Sequence, residues 1–226
     1  MKLLFLGTGA ADWPPERPDG CEEFRRLSTA LIDGTLLIDP GPQVPDTLAE
    51  YGQELSAVKY VINTHRHSDH FDEATVAALQ AGGATLTDFA PGEKKQLGRY
   101  TVWAYAGNHA TCDKTVHFLI SDGNSTLFYG LDGAWLLYEE AQAIIAARPA
   151  LAVLDATVGF LDGDYRIFEH NNLNMVLEMQ KTLAPYVGRF CISHMARTLH
   201  TDHAALSAAM AAHGVVTAYD GLELTV

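Results

Sequence analysis

Cationic residues are scarce in this chain of 226 residues, which has 15 lysines and arginines against 28 aspartates and glutamates. The formal net charge of −13 argues against a protein that binds nucleic-acid polymers, since such proteins need basic surface to displace counterions. No cluster of lysines and arginines occurs anywhere. A small anionic substrate remains compatible with this charge, provided that bound metal ions attract it.

Long hydrophobic runs and paired cysteines are also missing. No apolar stretch approaches the ~20 residues that a membrane span requires, and the N-terminal apolar run stops at Gly7, which predicts a strand and not a signal peptide. Cys21, Cys112 and Cys191 are odd in number and far apart. A disulfide framework is therefore not expected, and a cytoplasmic protein that does not bind membranes is favoured.

The remaining composition fits one domain over residues 1–226, with 48% hydrophobic and 19% charged residues. Predicted strands form two groups interspersed with helices, which favours two packed sheets flanked by helices. Residues 12–26 form a polar, proline-rich excursion, either a border of an active site or a surface loop without a role. The predicted strands are 28–32, 35–39, 60–64, 97–105, 116–121, 125–129, 150–155, 189–193, 215–219 and 222–226, and the predicted helices are 72–81, 139–147, 172–183 and 203–212.

The densest functional signal is the segment His65-Arg66-His67-Ser68-Asp69-His70. It places four potential metal ligands within six residues, directly after the apolar run 60–64. A strand that ends in a turn can direct such side chains to one point, and nitrogen and carboxylate donors suit zinc, iron or manganese. A metal site is therefore predicted, the alternative being a solvated turn that is rich in histidine and aspartate.

With its preceding strand, this segment resembles the metal motif of the metallo-β-lactamase-fold hydrolases. The start of the chain, Leu3-Leu4-Phe5-Leu6-Gly7-Thr8-Gly9, and the segment Ile38-Asp39-Pro40-Gly41 are similar to further elements of that family. The resemblance extends over nearly the whole chain. It implies an α/β (α+β type) fold, a four-layer αβ/βα sandwich, and a centre that holds two divalent metal ions, zinc or manganese with iron as a further option.

The resemblance also implies three ligands beyond the motif, each after an apolar strand: His109, Asp132 and His194. The first ion would contact His65, His67 and His109, the second Asp69, His70 and His194, and Asp132 would bridge both. A water molecule between two cations loses a proton near neutral pH and becomes the nucleophile. Each strand-end residue taken alone is also explained as a turn residue.

His170 and Asp69 are the predicted catalytic residues. The segment His170-Asn171 is similar to a motif of phosphodiesterases in this family, in which a histidine protonates the leaving oxygen. The alternative is a histidine that merely precedes a helix capped by Asn171 or Asn172. His117 is predicted to be structural, because it alternates with apolar residues within a strand. Whether His200 or His203 reaches the site is left open.

The branch of the family that the chain resembles most is typified by the cyclic phosphodiesterase of bacterial phosphonate catabolism, which acts on phosphoribosyl 1,2-cyclic phosphate. Gly7-Thr8-Gly9-Ala10-Ala11, Ser193-His194 and Ala218-Tyr219-Asp220-Gly221-Leu222 carry this resemblance together with His170-Asn171. The chain departs from the branch near its N-terminus, where Cys21 stands alone in place of clustered zinc-binding cysteines. The structural zinc of that branch is therefore not expected, and the substrate is left open.

Hydrolysis of a small cyclic phosphodiester is the function that the resemblance favours. A thioester or lactone hydrolase would share every metal ligand and differ at His170. A tRNA 3′-end endonuclease would need a basic arm that this acidic chain does not show, and a non-enzymatic metal-binding scaffold would not need the complete ligand set. A homodimer is expected only because it is the commonest oligomer.

Overall fold

The computed structural model describes residues 1–226 and arranges them as two β-sheets between two layers of helices. The strands are β1 (Lys2–Gly7), β2 (Thr29–Ile32), β3 (Leu36–Ile38), β4 (Tyr60–Ile62), β5 (Thr85–Thr87), β6 (Lys94–Leu97), β7 (Tyr100–Ala106), β8 (Val116–Ser121), β9 (Thr126–Gly130), β10 (Leu151–Asp155), β11 (Phe190–Ser193), β12 (Val215–Thr217) and β13 (Glu223–Thr225). The helices are α1 (Val44–Glu50), α2 (Glu73–Ala81), α3 (Tyr138–Ala147), α4 (Leu173–Leu183) and α5 (His203–Ala211), with 3₁₀ turns at Leu55–Ala57 and Tyr165–Phe168. The first sheet has the order β13-β1-β2-β3-β4-β5, and the second has the order β12-β11-β10-β9-β8-β7-β6.

The two sheets pack face to face through the largest apolar cluster, to which Phe5 of β1 and Phe118 of β8 both belong. The outer face of the second sheet is covered by α3, α4 and α5, whose apolar residues include Val176. The outer face of the first sheet is covered by α1 and α2, through residues such as Leu48 and Leu79. The predicted four-layer αβ/βα sandwich is therefore confirmed. None of the helices has the length and apolar character of a membrane span.

Local sequence explains several of the element boundaries. Asp33 and Gly34 have φ angles of 48° and 68° and connect β2 to β3 as an antiparallel hairpin, as predicted from this dipeptide. Helix α2 begins after Asp72, whose carboxylate accepts a hydrogen bond from Thr75 N at 2.7 Å, and α4 begins after Asn172, which caps Met175 N at 2.8 Å. These caps fix the two helices that follow the metal motif and His170.

The predicted single strand 97–105 is wrong at its start. The segment forms the hairpin β6–β7, which turns at Gly98 with a φ of 56°. Strand β5 was not predicted at all. Strand β6 lies at the edge of its sheet and β5 at the edge of the other. Each is short and contains a single apolar residue, so neither gives the apolar pattern by which a strand is recognised.

Candidate metal centre

The predicted metal ligands converge where strands of both sheets end. The 65–70 segment follows β4 of the first sheet, and the other three ligands follow β7, β9 and β11 of the second sheet. All of these side chains except that of His67 are buried. The structure therefore brings together every residue that was predicted to hold metal: His65, His67, Asp69, His70, His109, Asp132 and His194.

Asp69, His70 and His194, here called the mixed group, surround the carboxylate of Asp132. Asp132 Oδ2 lies 2.6 Å from His70 Nε2 and 3.1 Å from His194 Nε2. Asp69 Oδ2 lies 3.4 Å and 3.6 Å from the same two nitrogens. Although it is buried and this close to two imidazoles, Asp132 Oδ2 makes no hydrogen bond. The four side chains thus direct their donor atoms at one shared point.

His65, His67 and His109 form a second cluster, the histidine group. His109 Nε2 lies 3.2 Å from His67 Nδ1, and the ring of His65 lies 4.6 Å and 5.1 Å from the rings of His67 and His109. His65 Nε2 is buried without any partner. Burial, assisted by the neighbouring His70, lowers the pKa of His65 to about 2. The imidazole is therefore neutral and keeps a lone pair for a metal ion.

Two aspartates hold the histidines of the mixed group from behind. Asp39 Oδ2 lies 2.9 Å from His70 Nδ1, and Asp155 Oδ2 lies 3.3 Å from His194 Nδ1. Burial alone would lower the pKa of both imidazoles, but the surrounding carboxylates outweigh it, raising the pKa of His70 and bringing that of His194 to about 10. Such carboxylate–histidine pairs orient metal ligands and increase their basicity.

Sequence analysis assigned no role to Asp39 or Asp155, although Asp39 belongs to the resemblance. Asp39 follows β3, and Asp155 is the last residue of β10. The pattern that marked Asp132 and His194, an acidic or imidazole side chain at the end of an apolar strand, also marks these two residues. That signal was present in the sequence and could have identified them.

Three residues of the metal centre share the same strained backbone conformation. Asp39, Asp132 and His194 have φ angles of 63°, 56° and 63°, in the left-handed region that few residues other than glycine adopt. Gly41 completes the arrangement, because a Cβ atom there would lie 2.7 Å from the carbonyl oxygen of Asp69. Three strands therefore turn sharply at the centre and direct their last side chains into it.

His170 lies beside the ligands and lines, with His67, Asp69 and Asp132, a cavity of about 230 Å³. Its Nδ1 lies 3.1 Å from Thr157 Oγ1 and 3.3 Å from Asp155 Oδ2, whereas its Nε2 makes no hydrogen bond to the protein. Burial opposes protonation, but the nearby carboxylates, Asp155 first, raise the pKa of His170. The ring thus lines the cavity, is held at Nδ1, and has no hydrogen-bond partner in the protein at Nε2.

Other predicted features lie around the centre without joining it. His200 Nε2 donates to the carbonyl oxygen of Ala156 at 2.7 Å, and His203 Nδ1 lies 3.0 Å from Arg25 Nη2; neither imidazole lines the cavity. His117 is buried within β8, which agrees with its predicted structural role. The 12–26 loop borders the cavity at Asp12.

Comparison with known proteins agrees with this geometry. A model of the metallo-β-lactamase superfamily matches residues 28–72, the segment that contains the 65–70 motif. Zinc-bound PqqB from Methylobacterium extorquens superimposes with a TM-score of 0.76 at 18% identity, covering 100% of both chains. The chain has the metallo-β-lactamase fold. YhfI from Bacillus subtilis (TM-score 0.75, 17% identity, 99% and 98% of the two chains covered) and a diphosphatase of the PhnP family (0.74, 16%, 100% and 97%) share it. No curated protein sequence matches the chain.

The residues at this end of the metallo-β-lactamase fold suit divalent metal ions. Imidazole nitrogens and carboxylate oxygens are the donors that zinc, manganese and iron accept. A buried imidazole nitrogen of His65 and a buried carboxylate oxygen of Asp132 have no hydrogen-bond partner within the protein. Polar atoms are rarely left in this state unless a ligand or ion satisfies them. The donor set therefore fits the metal ions that the fold implies.

Proposed function

We propose that the protein is a metal-dependent hydrolase, and that it cleaves a small cyclic phosphodiester. The observation that carries the phosphodiester part is the placement of His170, whose ring lines the cavity while Asp155 lies 3.3 Å from its Nδ1 and its Nε2 makes no hydrogen bond to the protein. The similarity to a diphosphatase of the PhnP family supports a phosphorus–oxygen bond as the target, without indicating a cyclic diester.

In this proposal the residues of the histidine group would hold one divalent ion, those of the mixed group would hold another, and Asp132 would belong to both ligand sets. Bound cations would lower the pKa of a water molecule and draw negative charge from a phosphoryl oxygen. Zinc and manganese are the proposed metals, with iron as a third option. This ligand set does not distinguish among them, because imidazole suits zinc and iron while carboxylate suits manganese.

The protein's own side chains would act on the two sides of the phosphorus atom. Asp69 faces the cavity, and although its burial opposes ionisation, His70 and His194 hold the pKa of its carboxyl well below its usual range. The ionised carboxylate can accept a hydrogen bond from the attacking water and so orient it. On the other side, His170 donates its Nε2 proton to the leaving oxygen as the phosphorus–oxygen bond breaks.

Size and charge favour a small substrate. The cavity of about 230 Å³ is smaller than the ~300–1,000 Å³ usual for small-molecule sites. The chain's net charge of −13 also disfavours a nucleic-acid polymer such as tRNA. A thioester or lactone hydrolase is the second candidate, since all of the proposed metal ligands would serve it equally. A thiolate departs without protonation, so a thioester would not need the proton donor that the position of His170 provides.

The test is replacement of His170 by alanine in metal-reconstituted protein. Turnover of a 2′,3′-cyclic nucleotide should fall by ~10²–10⁴-fold, because the departing ribose oxygen needs a proton. Turnover of bis(p-nitrophenyl) phosphate should fall much less, since nitrophenolate leaves without protonation. Metal content should not change. His213→Ala, at an exposed position after α5, is the matched control.

Equal losses on both phosphodiesters would show that His170 does not act as a proton donor. Hydrolysis of a thioester or lactone, with both phosphodiesters left intact, would replace the phosphodiesterase proposal by the second candidate. A protein that binds metal but hydrolyses none of these substrates would contradict both assignments.

A further inference from the structure

His117 is a buried imidazole that the proposed chemistry does not use. It is the second residue of β8, and glycines occur where neighbouring segments pass close to its ring. A Cβ atom at Gly107, Gly130 or Gly133 would come within 3.1 Å of ring atoms of His117. Three glycines around one side chain indicate that the ring occupies a closely fitted position between β7, β9 and the loop that carries Asp132.

Both ring nitrogens of His117 face acceptors. Nδ1 lies 2.5 Å from Glu140 Oε1 in α3, and Nε2 lies 3.0 Å from the carbonyl oxygen of Leu131 and 3.4 Å from that of Asp132. Nε2 of His117 therefore donates to the backbone carbonyls, and Nδ1 shares a hydrogen bond with Glu140. His117 and Glu140 thus form a buried, hydrogen-bonded pair. Glu140 is held in turn, because its Oε2 accepts a hydrogen bond from Leu137 N at 2.7 Å.

The pair lies against the strained peptide at Asp132. Nε2 of His117 faces the carbonyl oxygens of Leu131 and Asp132, which lie on either side of the Asp132 Cα atom, where φ is 56°. Asp155 Oδ2 accepts a hydrogen bond from Asp132 N at 3.3 Å. The backbone of the residue shared by both groups of ligands is thus held at its N–H and at its carbonyls. A buried polar pair is better explained by a role in specifying geometry than by a gain in stability over apolar packing.

We propose that His117 and Glu140 are positioning residues that set the direction of the Asp132 carboxylate and, through it, the affinity for metal ions. This inference rests on the proposed metal centre. Neither residue touches a ligand atom: Glu140 acts through His117, and His117 acts through the backbone of Asp132. As a consequence, helix α3 in the outer layer would influence the position of Asp132, the metal ligand that follows β9.

The test is a zinc titration of metal-free protein against a fluorescent chelator. Glu140→Gln and His117→Asn should each weaken zinc binding by ~10–100-fold, the usual loss when a supporting residue of a metal site is removed. The double variant should bind zinc no more weakly than His117→Asn alone, because Glu140 acts through His117. Tyr100→Phe is the control. It removes a buried hydroxyl that donates a hydrogen bond to Asp33 at 2.7 Å. Asp33 lies in the β2–β3 turn, at the end of β3 that is remote from the metal centre. It should lower the melting temperature and leave zinc affinity unchanged.

The possible outcomes distinguish a failure of the positioning role from a failure of the proposed metal centre. Wild-type protein that binds zinc, with Glu140→Gln binding it equally well, would overturn the positioning role and leave the metal centre intact. Additive losses in the double variant would also overturn it. Wild-type protein that binds no divalent ion would overturn both.

Discussion

The histidine group and the mixed group share Asp132 but are supported differently. In the histidine group, His65 Nδ1 lies 3.0 Å from the hydroxyl of Thr64, and His109 Nδ1 lies 3.4 Å from the carbonyl oxygen of Glu169. In the mixed group, His70 Nδ1 lies 2.9 Å from Asp39 Oδ2, and His194 Nδ1 lies 2.7 Å from the hydroxyl of Thr157 and 3.3 Å from Asp155 Oδ2. A buried carboxylate thus lies close to both histidines of the mixed group, whereas the nearest contacts of Nδ1 in His65 and His109 are a hydroxyl and a carbonyl oxygen.

This difference sets the charge that each group has before metal arrives. Burial keeps His65 neutral, whereas the surrounding carboxylates raise the pKa values of His70 and His194 and so favour their protonated forms. Once an ion replaces those protons, the same carboxylates make the imidazoles stronger ligands. We therefore expect the mixed group to hold its ion more tightly than the histidine group does.

The largest expected effect is a difference in metal content between His70→Ala and His67→Ala. His70 contacts Asp132, and its ring centroid lies 4.4 Å from that of His65, so its loss disturbs both groups. His70→Ala should lower phosphodiester turnover by more than ~10²-fold, beyond the loss caused by removing a supporting residue, and should bind neither ion stoichiometrically. His67→Ala should retain one ion. Metal analysis after gel filtration measures this, and retention of one ion by both variants would contradict the expected asymmetry.

A smaller effect is expected for the supporting residues. Asp155→Asn keeps the size of the side chain but removes the charge behind His194 and His170, and it should weaken zinc binding by ~10–100-fold. Thr64→Val is the comparison variant, and it removes a hydroxyl that lies 3.0 Å from His65 Nδ1 and also donates to Asp39 Oδ1 at 2.9 Å. Its loss should be less than ~10-fold because a neutral hydroxyl is removed and both carboxylates stay in place. Chelator competition on the two variants gives the comparison. A greater loss from Thr64→Val would reverse the assignment of the tighter site.

The smallest effect concerns the stability of metal-free protein. The pKa of His194 is raised to about 10 in the fold, so its stabilising contribution is full below about pH 6.5, the ordinary histidine value, and is lost as the pH rises towards 10. The pKa of His65 is lowered to about 2, so its neutral form favours folding above pH 6.5, and stability falls as the pH drops below that value. Urea unfolding from pH 5 to 10 should therefore show two declining limbs. In His194→Asn the alkaline limb should flatten, and an unchanged limb would contradict this account.

Much of this centre could be predicted from the sequence, because strand ends are recognisable by their apolar runs. The 65–70 motif, Asp132 and His194 all follow such runs, and the structure brings them together with His109. The supporting residues were harder to predict. Asp39 and Asp155 carry the same strand-end signal, but their partners lie 31 and 39 residues away along the chain, and only the fold shows which histidine each contacts.

His117 shows where sequence patterns stop being informative. Its apolar neighbours correctly predicted a buried structural residue, but its partner is Glu140, a helical glutamate that a sequence alone would leave on the surface. The error at 97–105 has a similar origin, since edge strand β6 is polar and resembles a loop. Both features depend on contacts between segments that are distant in sequence. The local periodicity of hydrophobic residues does not reveal such contacts.

The centre draws its ligands from both sheets, and this has a consequence for the time course of unfolding. The 65–70 segment belongs to the first sheet and the other ligands to the second, so bound ions would link the two halves of the sandwich across their seam. Such ions act as a removable crosslink between distant parts of the chain. The two sheets cannot separate until the ions dissociate, so the lifetime of the folded protein would be governed by metal release as much as by the apolar core.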